Sequence, residues 1–166
     1  KLEKEKISKL LNLNTKTYKN VLDLACGVGR WLKILDCKYE KYLGLDYSAE
    51  MIASAKKIYT SKKNVDFEVM SVANLEIEEI KSKLGRIDLI ILSGILIYLN
   101  DDDLISLAKN IIVLSSKGTT IYLREPLSTL NERLSLKDFY SEELQSTYSA
   151  IYRTPQELDD LFFSIL

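Results

Sequence analysis

The residues of this chain whose types and spacing suit chemistry gather first in Asp23-Leu-Ala-Cys-Gly-Val-Gly29. The run Val21 to Leu24 is apolar except for Asp23, and Arg30-Trp31-Leu32 opens a helix after the turn. A buried strand that ends in Gly-x-Gly and feeds a helix makes a backbone pocket for a nucleotide-like ligand. Gly27 and Gly29 let the main chain approach such a ligand and adopt positive φ. A second candidate is Asp46, which closes the apolar run Lys41-Tyr-Leu-Gly-Leu-Asp46. At the carboxyl end of a neighbouring strand, a carboxylate accepts both hydroxyls of a ribose. The competing reading is an acid favoured by the start of the next helix. Ser48, an N-cap residue by type, and Glu50 already serve that helix start, so the ribose reading is preferred.

The neighbours of the turn narrow the ligand. A dinucleotide fingerprint places a third glycine or an alanine where this chain has Leu32, and no Gly-Lys-Ser/Thr follows to cradle a triphosphate. Asp23, two residues before Ala25, is also out of place in a dinucleotide strand. The arrangement resembles motif I, Asp-x-Gly-x-Gly-x-Gly, of class I S-adenosylmethionine (SAM) dependent methyltransferases of the methyltransferase domain 11/25 type, with Ala25 in place of the first glycine. Ser71-Val-Ala-Asn-Leu75 stands where that family has Asp-Ala against the adenine; Ser71 replaces the acid, so the contact rests more on the Val72 backbone. Ser93-Gly-Ile-Leu-Ile-Tyr98 resembles motif IV, which runs past SAM toward the acceptor. The resemblance implies SAM as cofactor, with S-adenosylhomocysteine as product. It places cofactor contacts at Asp23, Ala25, Cys26, Gly27 and Gly29, at Asp46, Tyr47 and Met51, at Ser71 and Val72, and at Ser93, Gly94 and Ile95.

The elements that must position these residues alternate. Strands are expected at 20–24, 41–46, 64–70, 87–92 and 119–124, with helices between them, and this β-α order demands a mostly parallel sheet with helices on both faces. The resemblance makes it a three-layer Rossmann-like α/β sandwich of strand order 3-2-1-4-5. Ligands bind such sheets at the carboxyl ends of the strands, where Asp23 and its turn, Asp46, Ser71, Ser93 and Arg124 all fall. The whole of 1–166 reads as a single domain. Residues 1–19 read as a solvated lead-in in preference to a helix over the ligand, 20–125 as the core, 126–153 as a lid-like insertion and 154–166 as a C-terminal helix with stripe Leu158, Leu161, Phe162 and Ile165. The antiparallel strands 6 and 7 that usually close the family's sheet are expected to be missing, leaving an exposed edge that, like the lid, offers a route to a homodimer. Asp101-Asp-Asp103 reads as helix capping in preference to a metal site, and no metal is expected.

Acceptor-side candidates are Tyr98, Arg124, Glu125, Tyr148 and Arg153. Guanidinium groups grip carboxylate or phosphate, although Arg124, Arg133 and Arg153 equally suit structural ion pairs, and Tyr98 equally suits a core aromatic. The chain has no histidine, which removes Ser-His-Asp and Cys-His catalysis, so no single catalytic residue is assigned; Glu125, other carboxylates, tyrosines or water are the available bases. A net charge of -1 gives no basic field for nucleic acid, and the Asn/Asp-Pro-Pro-Tyr type motif is not at Ser93–Leu96. No apolar run reaches the roughly 18–20 residues of a membrane span, no signal peptide is visible, and two cysteines suit a reducing, cytoplasmic setting. The first residue is Lys1 and not Met, which reads as a fragment or an incomplete chain. The expected activity is methyl transfer from SAM to an O or N atom of a small-molecule acceptor; the alternatives are a non-catalytic or partner-dependent SAM-binding module and, more remotely, a nucleotide-linked oxidoreductase.

Overall fold

Val21, Leu22 and Leu24 are completely buried, as a central parallel strand covered on both faces requires. The computed structural model, which describes residues 2–143 and 145–163, places them in β1 (Tyr18–Leu24). The other strands of the sheet are β2 (Tyr39–Asp46), β3 (Val65–Val69), β4 (Leu89–Ser93) and β5 (Thr120–Arg124). All four pairings are parallel and the order is β3-β2-β1-β4-β5, as expected. Alternation along β1 divides its side chains between two cores. Leu22 and Leu24 join Leu43, Leu45 and Ile90 on one face, covered by Ile80 and Leu84 of α4 (Ile77–Leu84), Leu104, Leu107 and Ile111 of α5 (Asp101–Leu114), and Leu158 of α6 (Pro155–Phe163). Val21 joins Tyr42, Leu89 and Ile91 on the other, under Trp31 and Leu35 of α2 (Arg30–Leu35) and Ile52 and Ala55 of α3 (Ala49–Ile58).

Two segments differ from the sequence expectation. Residues Leu2–Leu10 form a helix, α1, where a solvated lead-in was preferred; its one buried residue, Ile7, joins Leu11 and Leu13 in the second core. A helix that buries so little shows only a weak stripe. The second difference is a correction: strands 6 and 7 are not missing. β6 (Leu134–Ser141) and β7 (Ser146–Tyr152) form an antiparallel pair inside the segment read as a lid-like insertion, in register from Leu134↔Tyr152 to Ser141↔Ser146 with an irregularity between Leu136 and Phe139. They pair with each other as a separate two-stranded sheet and do not extend the edge of β5. β6 is exposed along most of its length and β7 buries only Ala150 fully, so the apolar alternation that advertises a half-buried strand is weak. Ile165 of the expected C-terminal stripe lies outside the described residues. Among the described residues no helix is long and apolar enough to cross a membrane.

One glycine of the sheet matters through close approach alone. A Cβ on Gly44 would lie 2.7 Å from Phe67 Cδ1 and 2.8 Å from Cys26 Sγ. Phe67 and Cys26 therefore pack directly onto the β2 main chain beneath the β1 turn. Gly44→Ala is expected to destabilise the fold by about 1–3 kcal/mol through overpacking, read as a lowered urea midpoint; an unchanged midpoint would contradict this packing.

Candidate active site

The carboxyl ends of β1, β2, β3 and β4 open onto one cavity of about 530 Å³, lined by Ala25, Asp46, Tyr47, Ser71, Val72, Ser93, Gly94, Ile95, Tyr98 and Leu99. The turn after β1 begins in the left-handed region: Ala25 has φ 60°, a conformation in which a glycine is strain-free and an alanine is not. That is the physical reason for a glycine at this place in the motif. Gly29 has φ 78°, and a Cβ there would lie 2.9 Å from both Phe67 Cζ and Tyr59 Cε2. The Tyr59 hydroxyl donates to the Gly29 carbonyl (2.9 Å), tying the turn to the end of α3.

Asp46 joins the two halves of this wall. Its Oδ2 accepts from the Gly27 amide (2.8 Å) and its Oδ1 from the Ser48 amide (2.9 Å), while the residue, 7% exposed, still lines the cavity. The acid lies at the entry to α3, where Ser48 Oγ accepts from the Met51 amide (3.3 Å), and it also lines the cavity. Each carboxylate oxygen accepts one amide, which leaves a lone pair on each for a hydroxyl.

Asp23 is placed differently from the other motif residues. It is 1% exposed, does not line the cavity and accepts from the Tyr42 hydroxyl beneath it. Burial raises its carboxyl from 3.8 to about 7, the Tyr42 bond opposes that rise and the nearby Asp46 charge adds to it. Cys26 is buried as well, and burial followed by the charges of Asp23 and Asp46 pushes its thiol up, so it is a packing residue and not a nucleophile. Gly27, Gly29 and Met51 also lie off the cavity lining, Gly27 acting through its amide on Asp46. Ser71 lines the cavity while its Oγ accepts from the Ala73 amide (3.3 Å), beside the buried Val72.

On the acceptor side only Tyr98 reaches this cavity, and it is 58% exposed. The Tyr148 ring meets Phe139 across the hairpin (centroids 5.8 Å apart), and the neighbouring Tyr148 phenol, followed by burial, raises the Tyr152 phenol above its ordinary range. The arginines are engaged elsewhere. Arg124 pairs with Glu3 of α1 (3.0 Å), Arg133 with Asp101 and Glu157 (2.8 Å each), and Arg153 is a 2% exposed side chain that donates to the carbonyls of Leu96 and Leu99 (2.9 Å each) and to Asp101 (2.6 Å). Glu125 accepts from the amides of Ile95 (2.9 Å) and Leu96 (3.1 Å). Burial raises its carboxyl while those backbone bonds oppose the rise. Leu99, which closes the cavity beside Tyr98, was missed by sequence reasoning; its place at the end of the motif IV segment is the only signal it offers.

The cavity suits the cofactor that the motif implies. It holds one carboxylate and no cation among its lining residues, which matches a ligand with a sulfonium charge, and its polar groups follow the strand ends from Ser71 to Asp46 to Ser93. Comparison with known proteins agrees. Residues 21–118 match the family model described as a methyltransferase domain. The chain is 31% identical over 107 residues to phosphoethanolamine N-methyltransferase 1 of Arabidopsis thaliana, covering 64% of this chain and 21% of that protein, so it spans about a fifth of that relative's length. Among solved structures, it resembles a SAM-dependent methyltransferase from Leishmania major (20% identity, TM-score 0.75, 98% of this chain and 61% of the other). It also resembles the glycopeptide N-methyltransferase MtfA in complex with SAM (14% identity, TM-score 0.72, 95% of this chain and 80% of the other). At such identities the structural likeness speaks for the fold, and the family match carries the assignment: the chain belongs to the methyltransferase domain family, whose cofactor is S-adenosylmethionine.

Proposed function

We propose that this chain transfers a methyl group from SAM to a nitrogen or oxygen of a small-molecule acceptor by in-line displacement, with nitrogen preferred. The observation that carries the reading is the single cavity at four strand ends, in which Asp46 braces the glycine turn and keeps acceptor lone pairs toward the space where a ribose would lie. The preference for nitrogen rests on the Arabidopsis relative being an N-methyltransferase. When bound, SAM supplies a methyl on a sulfonium: the acceptor lone pair forms the new bond to carbon as the C–S bond breaks, and its electrons leave on a neutral thioether.

The residues of this chain then have to align the two partners and exclude water. Asp46 would take the ribose hydroxyls, Ser71 and the Val72 backbone the adenine, and the Ala25–Gly29 turn the methionine end. Tyr98 would stand between the cofactor and the acceptor, with the Tyr148 and Tyr152 phenols beside it on the hairpin. The three arginines are already paired within the fold, which favours a neutral or cationic acceptor over one held by a guanidinium at this wall. A neutral amine brings its own lone pair and releases its proton to water after transfer, so the lack of a histidine base is no obstacle.

Isothermal titration with SAM and S-adenosylhomocysteine, followed by transfer of labelled methyl to a panel including ethanolamine, phosphoethanolamine and simple amines, tests the reading. Saturable binding of both and labelling of an amine are expected. Absence of binding at millimolar ligand would overturn it, and tight binding with no acceptor labelled would favour the SAM-binding module.

A further inference from the structure

The end of β4 and the segment between it and α5 supply Ser93, Gly94, Ile95, Tyr98 and Leu99 to the cavity, half of its lining, yet much of that segment is irregular: only Leu96–Tyr98 form a single 3-10 turn. A turn of three residues has no stability of its own. Two charged side chains hold it from opposite directions. Glu125, just past the end of β5, accepts the Ile95 amide on Oε1 (2.9 Å) and the Leu96 amide on Oε2 (3.1 Å). Arg153, at the exit of β7, donates Nη1 to the Leu96 carbonyl and Nη2 to the Leu99 carbonyl, both at 2.9 Å. The donors of one end of the turn thus meet an anion and the acceptors along it meet a cation.

The Arg153 side chain is itself fixed. Arg153 is 2% exposed, its main-chain carbonyl accepts from the Ser128 amide (2.9 Å), and Asp101 Oδ1 takes its Nη2 (2.6 Å) and Nε (3.1 Å). Asp101 Oδ2 accepts from Arg133, which bonds in turn to Glu157 of the α6 capping box, where the Thr154 amide donates to Glu157 Oε2 (2.8 Å). The Arg133 and Arg153 guanidinium groups hold the Asp101 carboxyl below its ordinary range. The chain of bonds therefore runs from the hairpin and α6 to the cavity wall that carries Tyr98.

We propose that Glu125 and Arg153 are positioning residues that set the 93–99 wall for ligand binding, and that through Arg153 the hairpin and α6 govern its placement. The inference rests on the cofactor reading above, but its readouts are separate from it. S-adenosylhomocysteine is the probe, with hydrogen exchange followed on peptides covering residues 93–100. In wild type the Ile95 and Leu96 amides should be protected. In Glu125→Ala their exchange should quicken at least tenfold and the affinity for S-adenosylhomocysteine should fall about fivefold or more, while exchange in β1 stays as in wild type. Glu125→Gln, which keeps one acceptor oxygen, should fall between the two, and serves in its place if the alanine variant does not fold. Arg153→Lys keeps the charge without the planar fork and should also weaken affinity. Affinity within twofold of wild type in both the Glu125 and the Arg153 variants overturns the proposal. Failure of wild type to bind would instead overturn the cofactor reading, and the exchange of Ile95 and Leu96 would still report on the clamp.

Discussion

Replacing Asp46 by alanine is expected to weaken S-adenosylhomocysteine binding about a hundredfold, or roughly 2.8 kcal/mol. Two effects add. Under the proposed reading the carboxylate that would accept the ribose hydroxyls is gone, and hydrogen bonds to a charged group contribute about 1.5–3 kcal/mol each. The Gly27 and Ser48 amides, bonded to Asp46 at 2.8 and 2.9 Å, also lose their partner, so the turn after β1 loosens with it. Asp46→Asn separates the effects, because the carboxamide accepts at one oxygen only and should give an intermediate loss. Titration calorimetry on the three proteins decides the matter. A loss well short of tenfold in the alanine variant would leave Asp46 as a turn brace with no ligand role.

The second large effect concerns Asp23 and pH. Its carboxyl stands at about 7 in the folded chain against an ordinary 3.8, because burial disfavours the charged form more than the Tyr42 hydroxyl favours it. A folded value above the unfolded one means that the contribution of Asp23 to stability is fully present below about pH 4. It is lost as the pH rises through about 7. The gap corresponds to roughly 4 kcal/mol. Carboxylates such as Asp101 and Glu157, held low by arginines and by a backbone amide, act in the opposite sense and lose their contribution on acidification. Comparing wild type with Asp23→Asn cancels that second group. The variant accepts the Tyr42 hydroxyl without a charge, so its urea stability should exceed that of wild type increasingly from about pH 4 to 7 and then stay ahead by a constant margin. Parallel pH profiles for the two proteins would show that Asp23 titrates normally and is not the buried acid described here.

Asp23 also shows what its type and spacing convey and what they do not. As part of Asp-x-Ala-x-Gly-x-Gly it helped identify the motif, and yet the fold puts it under the turn against Tyr42 and away from the cavity. Strand alternation alone would have placed it on the face of Val21, since the two are separated by one residue. That it meets a phenol there depends on β2 lying beside β1, which is a long-range fact. Arg153 is a stronger case. A basic residue in a polar stretch reads as a surface or ligand group, because an arginine is rarely buried unless paired. Its partners are the Leu96 and Leu99 carbonyls and Asp101, far away in sequence, and nothing local announces them.

The sequence by itself determined the parallel sheet, its order through the family pattern, and the gathering of Ala25, Asp46, Ser71 and Ser93 at one cavity, although Asp23 and Arg124, read at the same edge, do not line it. Those features follow from apolar periodicity, glycine placement and the rule that such sheets bind ligands at their strand ends, all of which are local or topological. Only the tertiary structure decided that Leu134–Ser141 and Ser146–Tyr152 pair, that α1 joins a core, and that Glu125 and Arg153 grip the segment around Leu96. Most of β6 is exposed, β7 buries only Ala150 fully, and α1 buries a single side chain, so none of them carries a strong period to read. Hydrogen bonds between charged side chains and distant main-chain groups have no period at all; they exist only once the chain has closed around them.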